Sequence, residues 1–222
     1  MNTKYLNIKL YFWLLFLCAS LLFIFFPQID LYISGLFYDG KGFPANGTWI
    51  EELFYYSVQP LIIAFTLSTL ALFAYNFFTK KSVLNVNAKV VLYLLLVLGV
   101  APGLIVNVTL KDNWGRARPS ETTNFGGTKE FTPAFIPSNQ GGYSFSCGHN
   151  AAAFSLLGFA LLAKSRRKFW MGLALTYGIL VSIARVAAGG HFLSDVVTSF
   201  FIVYIFTYII YGFMMKEQKE LQ

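Results

Sequence analysis

Six apolar runs divide this chain, and no soluble fold of its size can bury them all. They cover residues 10–26, 53–78, 90–110, 150–163, 169–188 and 193–215. About 20 apolar residues span the hydrocarbon of a bilayer as a helix. The fourth run is short but extends backward through His149. Only 12% of residues are charged, about half the usual share for a soluble domain. Aromatics reach 18%, as suits a surface facing lipid and headgroups. The expected fold is therefore all-α: a polytopic membrane protein, residues 1–222 forming one domain of six transmembrane helices in a bundle.

The first run resembles a signal peptide, but it stays bulky to its end. It runs into Pro27-Gln28 without a small-residue cleavage site, so it reads as a membrane helix. Residues 27–50 connect it to the second run, and their apolar middle suits the membrane interface. Pro102-Gly103 should kink or locally unwind the third span. Residues 111–148 are the longest polar stretch, and a loop of that length in a compact protein usually serves function. Cys18 lies in an apolar run and Cys147 in this loop, which gives no disulfide framework. The sequons at Asn46 and Asn107 read as coincidence.

The net charge of +7 invites a nucleic-acid partner, but its distribution fits topology better. With six spans, one side holds Lys4, Lys9, Lys80, Lys81, Lys89, Lys164, Arg166, Arg167, Lys168, Lys216 and Lys219. The other holds Lys41, Lys111, Arg116, Arg118, Lys129 and Arg185. Basic residues favour the cytoplasmic side. Both termini are thus expected in the cytoplasm, with the 111–148 loop external and no nucleic-acid partner.

Three polar clusters then fall on the external face, each at a helix end. They are K-D-N-W-G-R-A-R-P (111–119), F-S-C-G-H-N (145–150) and A-R-V-A-A-G-G-H-F-L-S-D (184–195). Ionisable residues at the edge of hydrophobic spans usually mark function. Together the clusters supply Lys111, Arg116, Arg118 and Arg185, the chain's two histidines His149 and His191, and Asp195. Arginine forks and a lysine charge suit phosphoryl oxygens. Two imidazoles can divide the tasks of nucleophile and general acid. His191 and Asp195, four residues apart, share a face if the chain turns helical there, so the carboxylate can hold the ring. Gly148, at a helix start, can present its N–H to phosphate. Two His and one Asp are also a ligand set for a divalent ion. Several cations in the same place argue against one, so no metal or other cofactor is expected.

These residues resemble the type 2 phosphatidic acid phosphatase family, whose signature is K-x6-R-P, then P-S-G-H, then S-R-x5-H-x3-D. Lys111 and Arg118-Pro119 match the first part, Gly148-His149 the end of the second, and Arg185, His191 and Asp195 the third. The chain departs from the signature at Ser146, Cys147 and Ala184, which stand for proline, serine and serine. A thiol donates a weaker hydrogen bond than the hydroxyl it replaces. A cysteine-phosphatase reading of Cys147 lacks the arginine that a C-x5-R loop needs. The resemblance implies that Lys111, Arg118, Arg185, Gly148 and Cys147 bind phosphate. It further implies that His149 protonates the leaving group, His191 becomes phosphorylated and Asp195 orients it. Arg116 lies outside the signature and reads either as a second anion contact or, preferably, as a solvated loop residue.

Reactive groups at the membrane edge suit a lipid phosphate. Residues 30–43 resemble the external stretch of bacterial members that include lipid A phosphatases. The resemblance thus implies a bacterial inner-membrane enzyme facing the periplasm, acting on the 4′-phosphate of lipid A. Undecaprenyl pyrophosphate and phosphatidylglycerol phosphate are the alternative substrates. A transporter or a non-catalytic lipid-binding scaffold would also carry intramembrane charges, and phosphate release separates those classes. The oligomeric state is not legible.

Overall fold

The computed structural model describes residues 3–215. The hydrophilic tail, with Lys216 and Lys219, lies outside the described residues. The chain begins with a small antiparallel hairpin, β1 (Lys4–Tyr5) and β2 (Ile8–Lys9), which the all-helical expectation missed. Helices follow: α1 (Leu10–Phe25), α2 (Gln28–Gly35) and α3 (Trp49–Thr79). The next, α4, spans Ala88–Trp114. After it come α5 (Gly148–Phe154), α6 (Leu156–Leu162), α7 (Arg167–Ala187) and α8 (Leu193–Met215).

Four of these, α3, α4, α7 and α8, are long and apolar enough to cross a membrane. The first apolar run forms the 16-residue α1, and past Pro27 the chain turns by 87° into α2. That pair adds at most one further span. The fourth run breaks at Ser155, whose Oγ donates to the Ala152 carbonyl at 2.6 Å, a bond that competes with helix continuation. Pro102 has the expected unwinding effect. From Gly99 to Lys111 the helix widens into π-helical turns, and the Asn107 amide reaches the Pro102 carbonyl at 2.7 Å. Such widened turns recur at functional sites.

The outer surface is apolar. In α3 only 6% of the most hydrophobic window is buried by protein, and residues such as Leu67, Phe77 and Phe78 face outward. Lipid is the solvent that such a surface requires. Inside, α8 is the central helix, packed by α1, α2, α4, α5 and α6. Ala101, Ala151, Ala160 and Ala174 line that core, and small residues let membrane helices approach closely. A side chain at Gly178 would collide with the Phe154 ring. The start of α3, the ends of α4 and α7, and the starts of α5 and α8 all meet at one end of the bundle, where the three polar clusters lie.

Candidate active site

The phosphate-binding candidates occupy helix ends. Lys111 closes the π-helical stretch. Arg118 precedes a short 3-10 turn, and its backbone N–H donates to Glu121 Oε2 at 3.0 Å. Among the described residues neither the Lys111 nor the Arg118 side chain forms an ion pair, and the buried Arg118 Nε has no hydrogen-bond partner. Arg185, in the last turn of α7, donates through Nη1 to Glu51 Oε1 at 2.6 Å and lies 4.7 Å from the Tyr55 ring centroid. Its Nε is also buried without a partner. Unsatisfied buried donors cost free energy, so these guanidinium groups are set for an anion to complete them.

Glu51 came into view only in the structure. Its local signal was a Thr48-x-x-Glu51 capping box, and the Glu51 N–H does donate to Thr48 Oγ1 at 3.4 Å. The same side chain also neutralises Arg185 from another helix.

His191 sits between α7 and α8 and is 2% exposed. Its spacing to Asp195 suggested a direct hydrogen bond. The structure instead puts Nδ1 at 2.7 Å from the Ser144 carbonyl oxygen, with Asp195 Oδ2 in ion-pair range at 3.6 Å. The reason is that Oδ2 already accepts from Ser144 Oγ at 2.6 Å and from the Phe192 N–H at 2.8 Å. Ser144 therefore joins ring and carboxylate. A carbonyl partner requires N–H at Nδ1, which leaves the Nε2 lone pair for chemistry in the neutral ring. Burial disfavours a charged His191, but Cys147 and Asp195 more than offset it, and its pKa is raised above 6.5.

His149, at the start of α5, stacks on Tyr55 with ring centroids 4.2 Å apart. Its electrostatic neighbours are Arg185, His191, Lys111 and Arg118, so all three sequence clusters converge on it. Cys147 is buried, with Sγ at 3.5 Å from Asn150 Oδ1. Gly148 begins α5 with the Asn107 side chain filling the place where a Cβ would stand.

Arg116 overturns the solvated-loop reading, because it is wholly buried. It reaches Asp195, Ser194 and Asp30 at once. The signal for Asp30 was a carboxylate inside the apolar segment I-D-L-Y, but nothing local named its partner.

A family model described as the PAP2 superfamily matches residues 90–219. The Lipid A 4′-phosphatase of Francisella tularensis subsp. novicida (strain U112) is 30% identical over 214 residues, covering 90% of this chain and 93% of that protein. The Lipid A 4′-phosphatase of Rhizobium leguminosarum is 30% identical over 192 residues, covering 78% and 81%. That of Rhizobium etli is 31% identical over 196 residues, covering 77% and 73%. No solved structure matches this chain significantly.

Proposed function

The chain belongs to the PAP2 superfamily, and we propose that it removes the 4′-phosphate of lipid A at the periplasmic face of a bacterial inner membrane. It is a phosphoric monoester hydrolase. The lipid A assignment draws on the activity for which the three relatives are named and on the apolar surface surrounding the site. In this reading the domain spans residues 1–222 and crosses the membrane six times, with α1 and the broken α5–α6 pair as the two shorter crossings. Both termini are cytoplasmic.

The observation that carries the chemistry is the setting of His149, whose ring stacks on Tyr55 with Arg185 over the same tyrosine, and which Lys111, Arg118 and His191 also neighbour electrostatically. The three cations and the Gly148 N–H hold the phosphoryl oxygens, supplying the charge stabilisation that phosphoryl transfer needs. Cys147, at the signature's serine position, lines the same cradle. No resident metal is required, since these cations take the place of a divalent ion. His191 Nε2 attacks phosphorus while the bond to the lipid oxygen breaks, and that oxygen takes a proton from His149. The phosphohistidine is then hydrolysed by a water that His149 deprotonates, which frees His191 and inorganic phosphate. Asp195 and the Ser144 carbonyl hold the ring throughout.

Detergent-solubilised protein given lipid A should release phosphate and leave a product lacking the 4′-phosphate by mass spectrometry. Turnover of undecaprenyl pyrophosphate or phosphatidylglycerol phosphate, with lipid A untouched, would move the substrate assignment. Absence of phosphate release from any of these lipids would leave a transporter or binding role.

A further inference from the structure

Every reacting group in that scheme lies at or beyond residue 111, within the stretch that the family model covers. Yet the site contains a charge from far upstream. Asp30, in α2, is 1% exposed, and Arg116 and Asp195 are both 0% exposed. Arg116 Nη2 donates to Asp30 Oδ2 at 2.8 Å, and Nη1 donates to Asp195 Oδ1 and, at 2.9 Å, to Ser194 Oγ. Arg116 Nε donates to the Thr132 carbonyl at 2.8 Å. Asp30 closes the circle by accepting from the Ser194 N–H at 2.9 Å and from Ser194 Oγ at 2.5 Å. The guanidinium carbon lies 4.3 Å from the Phe192 ring centroid and 5.7 Å from that of Phe131.

A guanidinium so enclosed has one orientation. It fixes Oδ1 of Asp195, while Oδ2 takes the Ser144 hydroxyl and the Phe192 N–H. The Asp195 carboxylate so fixed lies 3.6 Å from His191 Nδ1, where it balances the ring as it becomes cationic on bonding to phosphorus. A pair of buried ions is a poor device for stability alone, since apolar residues often do as well. A fixed geometry next to the nucleophile is a better account of why it is here.

We propose that Asp30 and Arg116 are positioning residues for phosphoryl transfer: Arg116 locks the Asp195 carboxylate behind His191, and Asp30 locks Arg116. The amino-terminal segment thereby completes a site whose reacting groups it does not supply. This inference rests on the phosphohistidine reading above.

The test uses the full-length protein with two substrates, lipid A and p-nitrophenyl phosphate, whose leaving group needs no proton. Asp30→Asn and Arg116→Lys should each lower kcat on the order of 10²-fold on both substrates, the size expected for a misplaced reacting group. KM should change little, because Lys111, Arg118 and Arg185 remain. A defect in proton donation, as in His149→Ala, should instead be relieved with the aryl phosphate. If both variants turn over like wild type, or if KM rises while kcat holds, the positioning role is wrong although the phosphatase stands. Ser194→Ala, which removes only the hydroxyl joining Asp30 to Arg116, decides the matter if the charge variants do not fold. It should lower kcat about tenfold, and wild-type kcat would sink the proposal. Phosphate release by a His191→Ala variant at the wild-type rate would bring down both readings.

Discussion

At the scale of single residues, the proposed mechanism makes the state of His191 control when the site works. Only the neutral ring can attack, and its pKa lies above the ordinary 6.5 because Asp195 and Cys147 outweigh burial. Activity should therefore fall as pH drops through that raised value. Asp195→Asn removes a charge that favours the cation, so the acid limb of kcat/KM should move to lower pH while the plateau falls. Using one substrate for both proteins cancels the phosphate's own ionisation. A limb that does not move would separate Asp195 from the ring's titration. Cys147 presents a different question. It stands where the family signature has serine, beside His191 and Asn150, and a hydroxyl donates better than a thiol. Cys147→Ser should keep kcat/KM within about threefold of wild type, since an exchange of one such donor is worth well under a full neutral hydrogen bond. Loss to background in a phosphate-release assay would make the thiol the nucleophile.

At the scale of elements, the π-helical stretch of α4 and the start of α5 are fitted to each other. Asn107 is pinned by its bond to the Pro102 carbonyl and fills the space beside Gly148. Gly148→Ala should push the two apart, lowering kcat/KM about tenfold. Adding Asn107→Ala should recover part of that loss, as contacting residues couple; strictly additive losses would show that they do not meet. The start of α3 makes a second such fit, through the Glu51–Arg185 ion pair. Glu51→Ala leaves a buried charge unpaired, a change that costs about 3–5 kcal/mol. Inorganic phosphate should raise the melting temperature of this variant more than that of wild type, because an anion replaces the lost carboxylate. Equal shifts would place Arg185 outside the phosphate site. These fits also mark what the sequence could disclose. Lys111, Arg118, Gly148, His149, Arg185 and His191 stand in short local patterns at helix ends. Asp30 and Arg116 are 86 residues apart, and Glu51 and Arg185 are 134 apart. Such pairing has no local signature, which is why Arg116 looked like a loop charge and Glu51 drew no notice.

At the scale of the whole molecule, the bundle has two chemically different ends, and the proposed direction in the membrane rests on them. The apolar runs were legible in full, whereas the right-angled turn after Pro27 and the break at Ser155 depend on local backbone bonding and were not. One end gathers Asp30, Glu51, Lys111, Gly148, Arg185 and Asp195 at helix termini. The opposite end carries Lys80 and Lys81 after α3, Lys89 at the start of α4, and Arg166 to Lys168 at the start of α7. The amino-terminal hairpin belongs to that second end. Ile8 and Phe12 pack against Phe201 and Ile205 of α8, and Asn7 lies where a side chain at Gly212 would stand. The amino-terminal hairpin and the end of the last described helix therefore lie at the same end of the bundle, where the proposed six crossings would put them. In the proposed orientation that side, rich in lysine and arginine, is cytoplasmic. A reporter fused after residue 222 should be active only when it reads cytoplasmic location. One inserted at Gly141, in the loop over the site, should be active only when it reads the outside. Reversal of both would invert the protein and put its phosphatase site in the cytoplasm. Both reporters on one side would mean an odd number of crossings, and α5–α6 would then be a re-entrant element rather than a span.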